Sequence, residues 1–155
     1  MLERGAEVIL ETARFWSCRA EWKEDLQRYE INDIIGPDEY HDHVDNNVYT
    51  NAFARWNLQA ALELKDWLEK NHPAAWNRIN RRVKLTPKEI IKWQQVINNV
   101  YLPFDPQTKL VEQFEGYFQR RDVNLAELEP RTESVQSLLG IEAPMKRKCS
   151  SSQMC

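Results

Sequence analysis

The sequence lacks the features that mark membrane, secreted and nucleic-acid-binding proteins. No stretch approaches the roughly 18 apolar residues of a membrane span, and the first residues form no cationic and then apolar signal region. Lys and Arg number 21 against 24 Asp and Glu, which gives a net charge of −3, and no basic stripe is interleaved with aromatic residues. A cytoplasmic protein that binds neither nucleic acid nor membrane is therefore expected.

Cysteine and glycine are both scarce. The three cysteines, Cys18, Cys149 and Cys155, are odd in number, widely spaced and without the paired spacing of a zinc site, so we predict free thiols. Only four glycines stand beside six tryptophans in 155 residues, of which 42% are hydrophobic and 29% charged. This composition favours one soluble, helix-rich globular unit with large packed side chains.

Helical signals dominate the chain and predict a mainly all-α fold with short β-hairpins. Residues 2–22 carry apolar side chains at three- and four-residue steps, the pattern of an amphipathic helix. Residues 47–70 are apolar on more than one face, which predicts neighbours on several sides. Pro73 opens a shorter helix over 73–79, and Thr86, Pro87 and Glu89 form the capped start of a helix that runs to about residue 100. Hairpins are predicted before residue 36 and over 101–114.

Residues 36–47 contain the densest cluster of reactive side chains. Four acids, two histidines and two asparagines lie between a β-like segment and the helix at 47–70. Gly36 and Pro37 break regular structure, so the acids lie on a loop, and Asp45 or Asn46 is the predicted N-cap of the helix that follows. A carboxylate held between a strand and a helix suits acid or base chemistry. His41 and His43 lack a third ligand at a recognisable spacing, so we predict a structural or ligand-contacting role for them and no metal site.

This loop and its flanks resemble the catalytic segment of glycoside hydrolase family 65. The similar residues run Ile35-Gly36-Pro37-Asp38-Glu39-Tyr40-His41, then His43-Val44-Asp45-Asn46-Asn47, Tyr49-Thr50-Asn51 and Ala54-Arg55-Trp56-Asn57-Leu58. The segments 12–19 and 112–118 also resemble that family. The resemblance implies a fragment of an (α/α)6 barrel from an inverting phosphorylase of maltose, kojibiose, nigerose or trehalose, whose full-length relatives form homodimers.

The resemblance also implies roles for individual residues. Glu39 would be the general acid, with a pKa raised by partial burial and by its acidic neighbours Asp38 and Asp42. Inorganic phosphate would be the co-substrate, and no cofactor is expected. The substrate contacts implied in the same way are Trp16, Arg19, Asp38, Tyr40 and His41. Trp16 and Arg19 can equally be a core tryptophan and a surface arginine, and Tyr40 can line the acceptor subsite or pack under the loop.

The resemblance predicts a boundary at residue 142. Residues 1–142 would form part of the (α/α)6-barrel catalytic domain, and residues 143–155 a divergent, disordered tail. Permitted codons for residues 145–155, read in another frame, restore a sequence close to the family's continuation, which points to a frameshift.

Two other interpretations stay open at this point. One is a hydrolase of the same family, of the trehalase type. The other is a catalytically inactive helical remnant, since the isolated fragment is expected to be inactive without the remaining sugar and phosphate contacts.

Overall fold

The computed structural model describes residues 2–37, 41–120, 129–130 and 132–133. Within them, helices and hairpins follow in the order α1 (Leu2–Arg19), β1 (Glu21–Lys23), β2 (Arg28–Glu30), α2 (Val48–Asn71), α3 (Pro73–Val83), α4 (Pro87–Asn99), β3 (Phe104–Asp105) and β4 (Leu110–Val111), with a 3₁₀ turn at Tyr117–Gln119. This architecture confirms the mainly all-α prediction. No helix in this part of the chain is long and apolar enough to cross a membrane.

The hydrophobic core lies among the four helices. α1 contacts α2, α3 and α4, and α2 contacts α3 and α4. Small side chains allow helices to approach closely, and α1 and α2 each bury two or more alanines. The core combines these alanines with larger side chains that are almost fully buried, among them Leu10, Leu58, Leu68, Ile79, Trp93 and Val96. Burial of this apolar surface is the main force that stabilises the helical assembly.

The first helix ends earlier than predicted. α1 stops at Arg19, because residues 21–23 pair antiparallel with residues 28–30 and so leave the helical path. Trp22 lies opposite Tyr29, and the centroids of their rings are 5.0 Å apart. The hairpin lies in the region where one was predicted, before residue 36, and its second strand covers only Arg28–Glu30.

The start of α2 corrects the predicted N-cap. The cap is Asn47, whose Oδ1 accepts a hydrogen bond from the backbone N–H of Thr50 at 3.1 Å. Asp45 and Asn46, the predicted caps, make other contacts, and Asn46 has a left-handed φ of 54°. Asp45, Asn46 and Asn47 can each cap a helix, so the sequence alone does not distinguish them. Their different tertiary contacts decide which one is the cap.

α2 contacts α1, α3 and α4, which agrees with the expectation of neighbours on several sides, but one of its faces is exposed among the described residues. Ala54, Leu58 and Leu68 are buried, but the aromatic side chains on the other face are exposed among the described residues. These are Tyr49, Phe53, Trp56 and Trp67.

The third and fourth helices follow their capping signals. α3 extends to Val83, beyond the predicted residue 79, because Ile79 and Val83 are both buried on one face of the helix. α4 begins with the predicted capping box, in which Thr86 and Glu89 each accept a hydrogen bond from the other's backbone N–H.

Cys18 is disulfide-bonded, so the prediction of a free thiol is wrong for this residue. The spacing of cysteines does not reveal their connectivity, so no sequence pattern indicated the bond. Cys149, Cys155 and the predicted boundary at residue 142 lie outside the described residues.

Candidate active site

The loop that contains Glu39 is closed at its base by a two-residue bridge. The N–H of Ile34 donates to the carbonyl of Val44 at 3.1 Å, and the N–H of Val44 donates to the carbonyl of Ile34 at 3.0 Å. Asp38, Glu39 and Tyr40 lie between these residues in the sequence but outside the described residues. The structure therefore defines the residues that flank these three on both sides, and we call these flanking residues the frame of the loop.

Asn46 connects the base of the loop to the rest of the fold. It is fully buried, and its N–H donates to the carbonyl of Ile31 at 3.0 Å, while its Oδ1 accepts from the N–H of Ile31 at 3.3 Å. The same Oδ1 accepts from Nδ2 of Asn51 at 3.2 Å, and Nδ2 of Asn46 donates to Glu115 at 2.7 Å. Buried polar groups that are hydrogen-bonded in this way hold a single geometry, because breaking any bond leaves a buried group unpaired.

Gly36 passes directly over the side chain that caps α2. A Cβ atom added to Gly36 would lie 2.3 Å from Nδ2 of Asn47 and 2.9 Å from its Cγ. Only glycine allows this approach, because Asn47 is itself buried and holds the N–H of Thr50. This contact therefore fixes the position of the N-terminal side of the loop relative to the first turn of α2.

An ion-pair network lies beside Asn46. Arg28 donates to both oxygens of Glu115, at 2.8 and 3.0 Å, and through Nε to Glu30 at 2.7 Å. Burial acts to raise the pKa of the Glu30 carboxyl, but hydrogen bonds from Asn32 and Arg28 outweigh it and hold that pKa below its ordinary value. The guanidinium carbon of Arg28 also lies 3.7 Å from the centroid of the Tyr101 ring, a cation–π contact that limits its freedom.

His41, two residues after Glu39, lies against aromatic rings from a distant segment. Its ring centroid is 5.1 Å from that of Phe114 and 6.1 Å from that of Tyr117. Phe114 is fully buried, so this contact ties the far side of the loop to a fixed group. Among the described residues, no group of three or more His, Cys, Asp or Glu side chains is arranged to hold a metal ion.

Trp16 and Arg19, both predicted to contact substrate, occupy different surroundings. Trp16 is half-buried, packs against the core and lines a cavity of about 380 Å³ together with Tyr49, Phe53 and Trp56. Arg19 donates to the carbonyl of Asn32 at 2.8 Å, directly before the loop. An aromatic-lined cavity suits a sugar face, whereas the bond made by Arg19 supports the segment between β2 and the loop.

The arrangement suits the positioning of one acidic group. Hydrogen bonds anchor the frame at Ile34, Val44 and Asn46. The close approach of Gly36 to Asn47 and the tilted contact of the His41 and Phe114 rings fix its two sides. General acid catalysis requires a defined position of the acid, and a frame held in this way suits that requirement.

Comparison with known proteins identifies the family. The family model of the glycosyl hydrolase family 65 central catalytic domain matches residues 1–153. The chain belongs to glycosyl hydrolase family 65.

Curated family 65 relatives include two bacterial kojibiose phosphorylases. The chain is 53% identical over 122 residues to the enzyme of Caldanaerobacter subterraneus subsp. tengcongensis and 51% identical over 122 residues to that of Thermoanaerobacter brockii; each match covers 79% of this chain. The chain spans 16% of the length of each of these relatives.

A solved structure supports the family 65 fold. The structure described as "Putative kojibiose phosphorylase from human microbiome" matches with a TM-score of 0.73 at 23% identity, and the match covers 86% of this chain and 19% of that one. This likeness concerns the fold, and it agrees with the prediction of a fragment of the family's helical barrel.

The sequence drew attention to the loop but missed the residues that hold it. Asn46 and Asn51 were indistinguishable from caps and surface amides, although both are fully buried. Glu115 lies 69 residues from Asn46, and no local pattern reports a contact over that distance. The resemblance of 112–118 to family 65 was the one available signal for this segment.

Proposed function

We propose that this chain forms the acid-bearing part of a family 65 disaccharide phosphorylase. That enzyme would cleave an α-glucosidic bond with inorganic phosphate and release β-glucose 1-phosphate and glucose. The observation that carries the proposal is the 53% identity to the Caldanaerobacter kojibiose phosphorylase over a segment that includes most of this chain.

Glu39 is the proposed general acid. Its carboxyl proton passes to the glycosidic oxygen as the bond from that oxygen to C1 breaks, and a phosphate oxygen forms the new bond to C1 from the opposite face of the ring. Phosphate already carries negative charge, so no second carboxylate is needed to activate it. The anomeric configuration is therefore inverted, and no cofactor takes part.

The proposed substrate contacts precede and follow Glu39 in the sequence. Trp16 contributes to the aromatic-lined cavity, and His41 is held by Phe114 next to the loop. Arg19, Asp38 and Tyr40 complete the proposed set. In this arrangement the aromatic side chains contact sugar faces, while the polar side chains bind hydroxyl groups.

A hydrolase is the second candidate, because one relative carries the name of a glycosidase. The chain is 35% identical over 125 residues to the protein-glucosylgalactosylhydroxylysine glucosidase of Danio rerio. Water would then replace phosphate as the attacking group. Phosphate dependence distinguishes the two reactions.

The test is a chimera in which this chain's matched segment replaces the corresponding segment of the Caldanaerobacter kojibiose phosphorylase. Glucose release from kojibiose, nigerose, maltose and trehalose is measured with and without phosphate, and the configuration of glucose 1-phosphate is read by NMR. We expect phosphate-dependent activity and the β-anomer. The chain of 155 residues assayed alone tests the alternative of an inactive remnant.

Glu39→Gln is the decisive variant, because it keeps the side-chain shape and removes the proton. We expect it to reduce kcat by about 10²–10⁴-fold, the usual contribution of general acid catalysis. Glu69→Gln, on the surface of α2, is the matched control and should keep full activity. Equal activity of the Glu39→Gln chimera would contradict the assigned role, and glucose release without phosphate would favour the hydrolase.

A further inference from the structure

Segment 112–118 clamps the residues that join the loop to α2. The N–H of Glu115 donates to the carbonyl of Asp45 at 3.1 Å, and the N–H of Val48 donates to the carbonyl of Gln113 at 3.0 Å. The first N–H groups of a helix have no partner within it, so the bond from Val48 also satisfies a free donor of α2. The two backbone bonds fix residues 45–48 from one side.

The side chain of Glu115 adds a third and directional bond to this clamp. Its Oε2 accepts from Nδ2 of Asn46 at 2.7 Å, and Arg28 holds the same carboxylate through two bonds. Charge-assisted hydrogen bonds are shorter and stronger than neutral ones. Because Asn46 also binds Ile31 and Asn51, the carboxylate fixes the group on which the base of the loop depends.

Hydrogen bonds within segment 112–118 also define its turn. Glu112 accepts from the N–H groups of Gly116 and Phe118, at 3.4 and 3.2 Å, so the turn closes on itself. Gly116 has a φ of 83°, a left-handed conformation that favours glycine. Glu115 is therefore presented by a preformed turn, while Phe114 from the same turn meets His41.

We propose that Glu115 is a positioning residue for the acid loop, acting through Asn46 to hold the residues that join this loop to α2. The proposal rests on the proposed function of Glu39. Glu115 accepts its bonds from Asn46 and Arg28, so its role in the reaction is to hold the loop in place rather than to react.

Hydrogen exchange on the chain of 155 residues tests the structural half of the proposal. Glu115→Ala removes the carboxylate, and we expect the amides of Asn46 and Val48 to exchange about tenfold faster or more, the change expected when a hydrogen bond to a charged group is lost. Glu69→Ala is the matched control, because the Glu69 side chain is exposed to a similar extent, 43% against 39%, and also forms an ion pair. Exchange at these amides that equals the control would overturn the proposal.

The kinetic half is tested in the chimera with two leaving groups. Positioning of a general acid matters for a sugar leaving group, which must be protonated, and matters little for fluoride. We expect Glu115→Ala to lower kcat for kojibiose by about 10–100-fold, the cost of a small misplacement, and to leave phosphate-dependent cleavage of α-glucosyl fluoride nearly unchanged. An equal loss for both substrates would show a merely structural role and overturn the proposal.

Glu115→Gln keeps the side-chain volume and one oxygen for Asn46, so it serves if Glu115→Ala does not fold. It should give smaller changes in the same two measurements. If the parent chimera or Glu39→Gln behaves contrary to the proposed function, that function fails, while the exchange data still decide whether Glu115 holds residues 45–48.

Discussion

Replacing Gly36 by alanine tests the contact between the acid loop and the cap of α2. The new Cβ would lie 2.3 Å from Nδ2 of Asn47, far inside ordinary contact distance. If Asn47 stays in place, the overlap costs about 1–3 kcal/mol, as overpacking of a well-packed site does. If Asn47 rotates away, its bond to the N–H of Thr50 is lost, which costs about 1 kcal/mol. Either response destabilises the protein by at least about 1 kcal/mol.

The assay is thermal and urea unfolding of the chain. For a protein of this size each kcal/mol lowers Tm by about 2–4 °C, so Gly36→Ala should show a clear decrease. Gly5→Ala, in α1, is the matched control, because no atom of the part of the chain that the structure describes lies within 4 Å of a Cβ added at Gly5. There alanine should stabilise the helix by roughly 0.5–1 kcal/mol.

A double-mutant cycle with Asn47→Ser identifies the cause. Serine is also a good N-cap and has a shorter side chain, so Gly36→Ala should cost less in the Asn47→Ser background. We expect a coupling free energy of at least about 0.5 kcal/mol. A Gly36→Ala variant as stable as the parent, or a cost that is the same in both backgrounds, would refute the contact as the reason for glycine at this position.

Three further predictions concern the helix ends. Thr86→Ala removes one half of the capping box of α4 and should lower the free energy of unfolding by about 1 kcal/mol in urea titrations. Burial acts to raise the pKa of Glu89, but hydrogen bonds from Arg14 and Thr86 lower it below the ordinary 4.5. Its stabilising contribution is therefore complete above that pH and is lost as the pH falls through the folded-state pKa, and Glu89→Gln should remove this part of the pH dependence of unfolding. Lys84→Gly should raise the free energy of unfolding by about 0.5 kcal/mol, and so raise Tm slightly, because Lys84 ends α3 with a left-handed φ of 53°.

The helices were predictable because their signals are local. The capping box that begins at Thr86 spans four residues, and these alone predict the start of α4. The apolar spacing that predicts α1 repeats within about one helical turn. The end of α1 was less predictable, because pairing of Trp22 with Tyr29 overrode a helical pattern that continued past Arg19. Local propensity is a weak guide wherever a tertiary contact competes with it.

The loop was predictable, but the residues that support it were not. Gly36 and Pro37 indicated a loop, which the structure confirms at these two residues, while the role that the resemblance assigned to Glu39 stays a prediction. Asn46 and Glu115 could not be found in this way, because their contact joins residues far apart in the chain. The same residue types cap helices, bind water or form buried hydrogen-bond networks. Only the burial of the side chain distinguishes these roles.

Asn51 shows why this frame is built from amides rather than from apolar side chains. Its Nδ2 donates to the carbonyl of Tyr101 at 2.7 Å and to Oδ1 of Asn46 at 3.2 Å, while its own Oδ1 is buried and has no hydrogen-bond partner among the described residues. An unpaired buried acceptor costs about 1–3 kcal/mol, so the two donated bonds must outweigh it. What the site requires of this residue is therefore two donors in fixed directions.

Asn51→Asp tests that requirement, because it keeps the shape and replaces the donors by acceptors. The introduced carboxylate would face the Tyr101 carbonyl and Asn46 Oδ1, and we expect a loss of about 3 kcal/mol or more at neutral pH, greater than for Asn51→Ala. The charged form is disfavoured in the folded state, so the pKa of the introduced group is raised there. The excess cost over Asn51→Ala should then be small below about pH 4 and should grow as the pH rises through the folded-state pKa. Equal stability of the Asp and Ala variants at pH 7 would mean that Asn51 contributes only packing and that its two donated hydrogen bonds are not required.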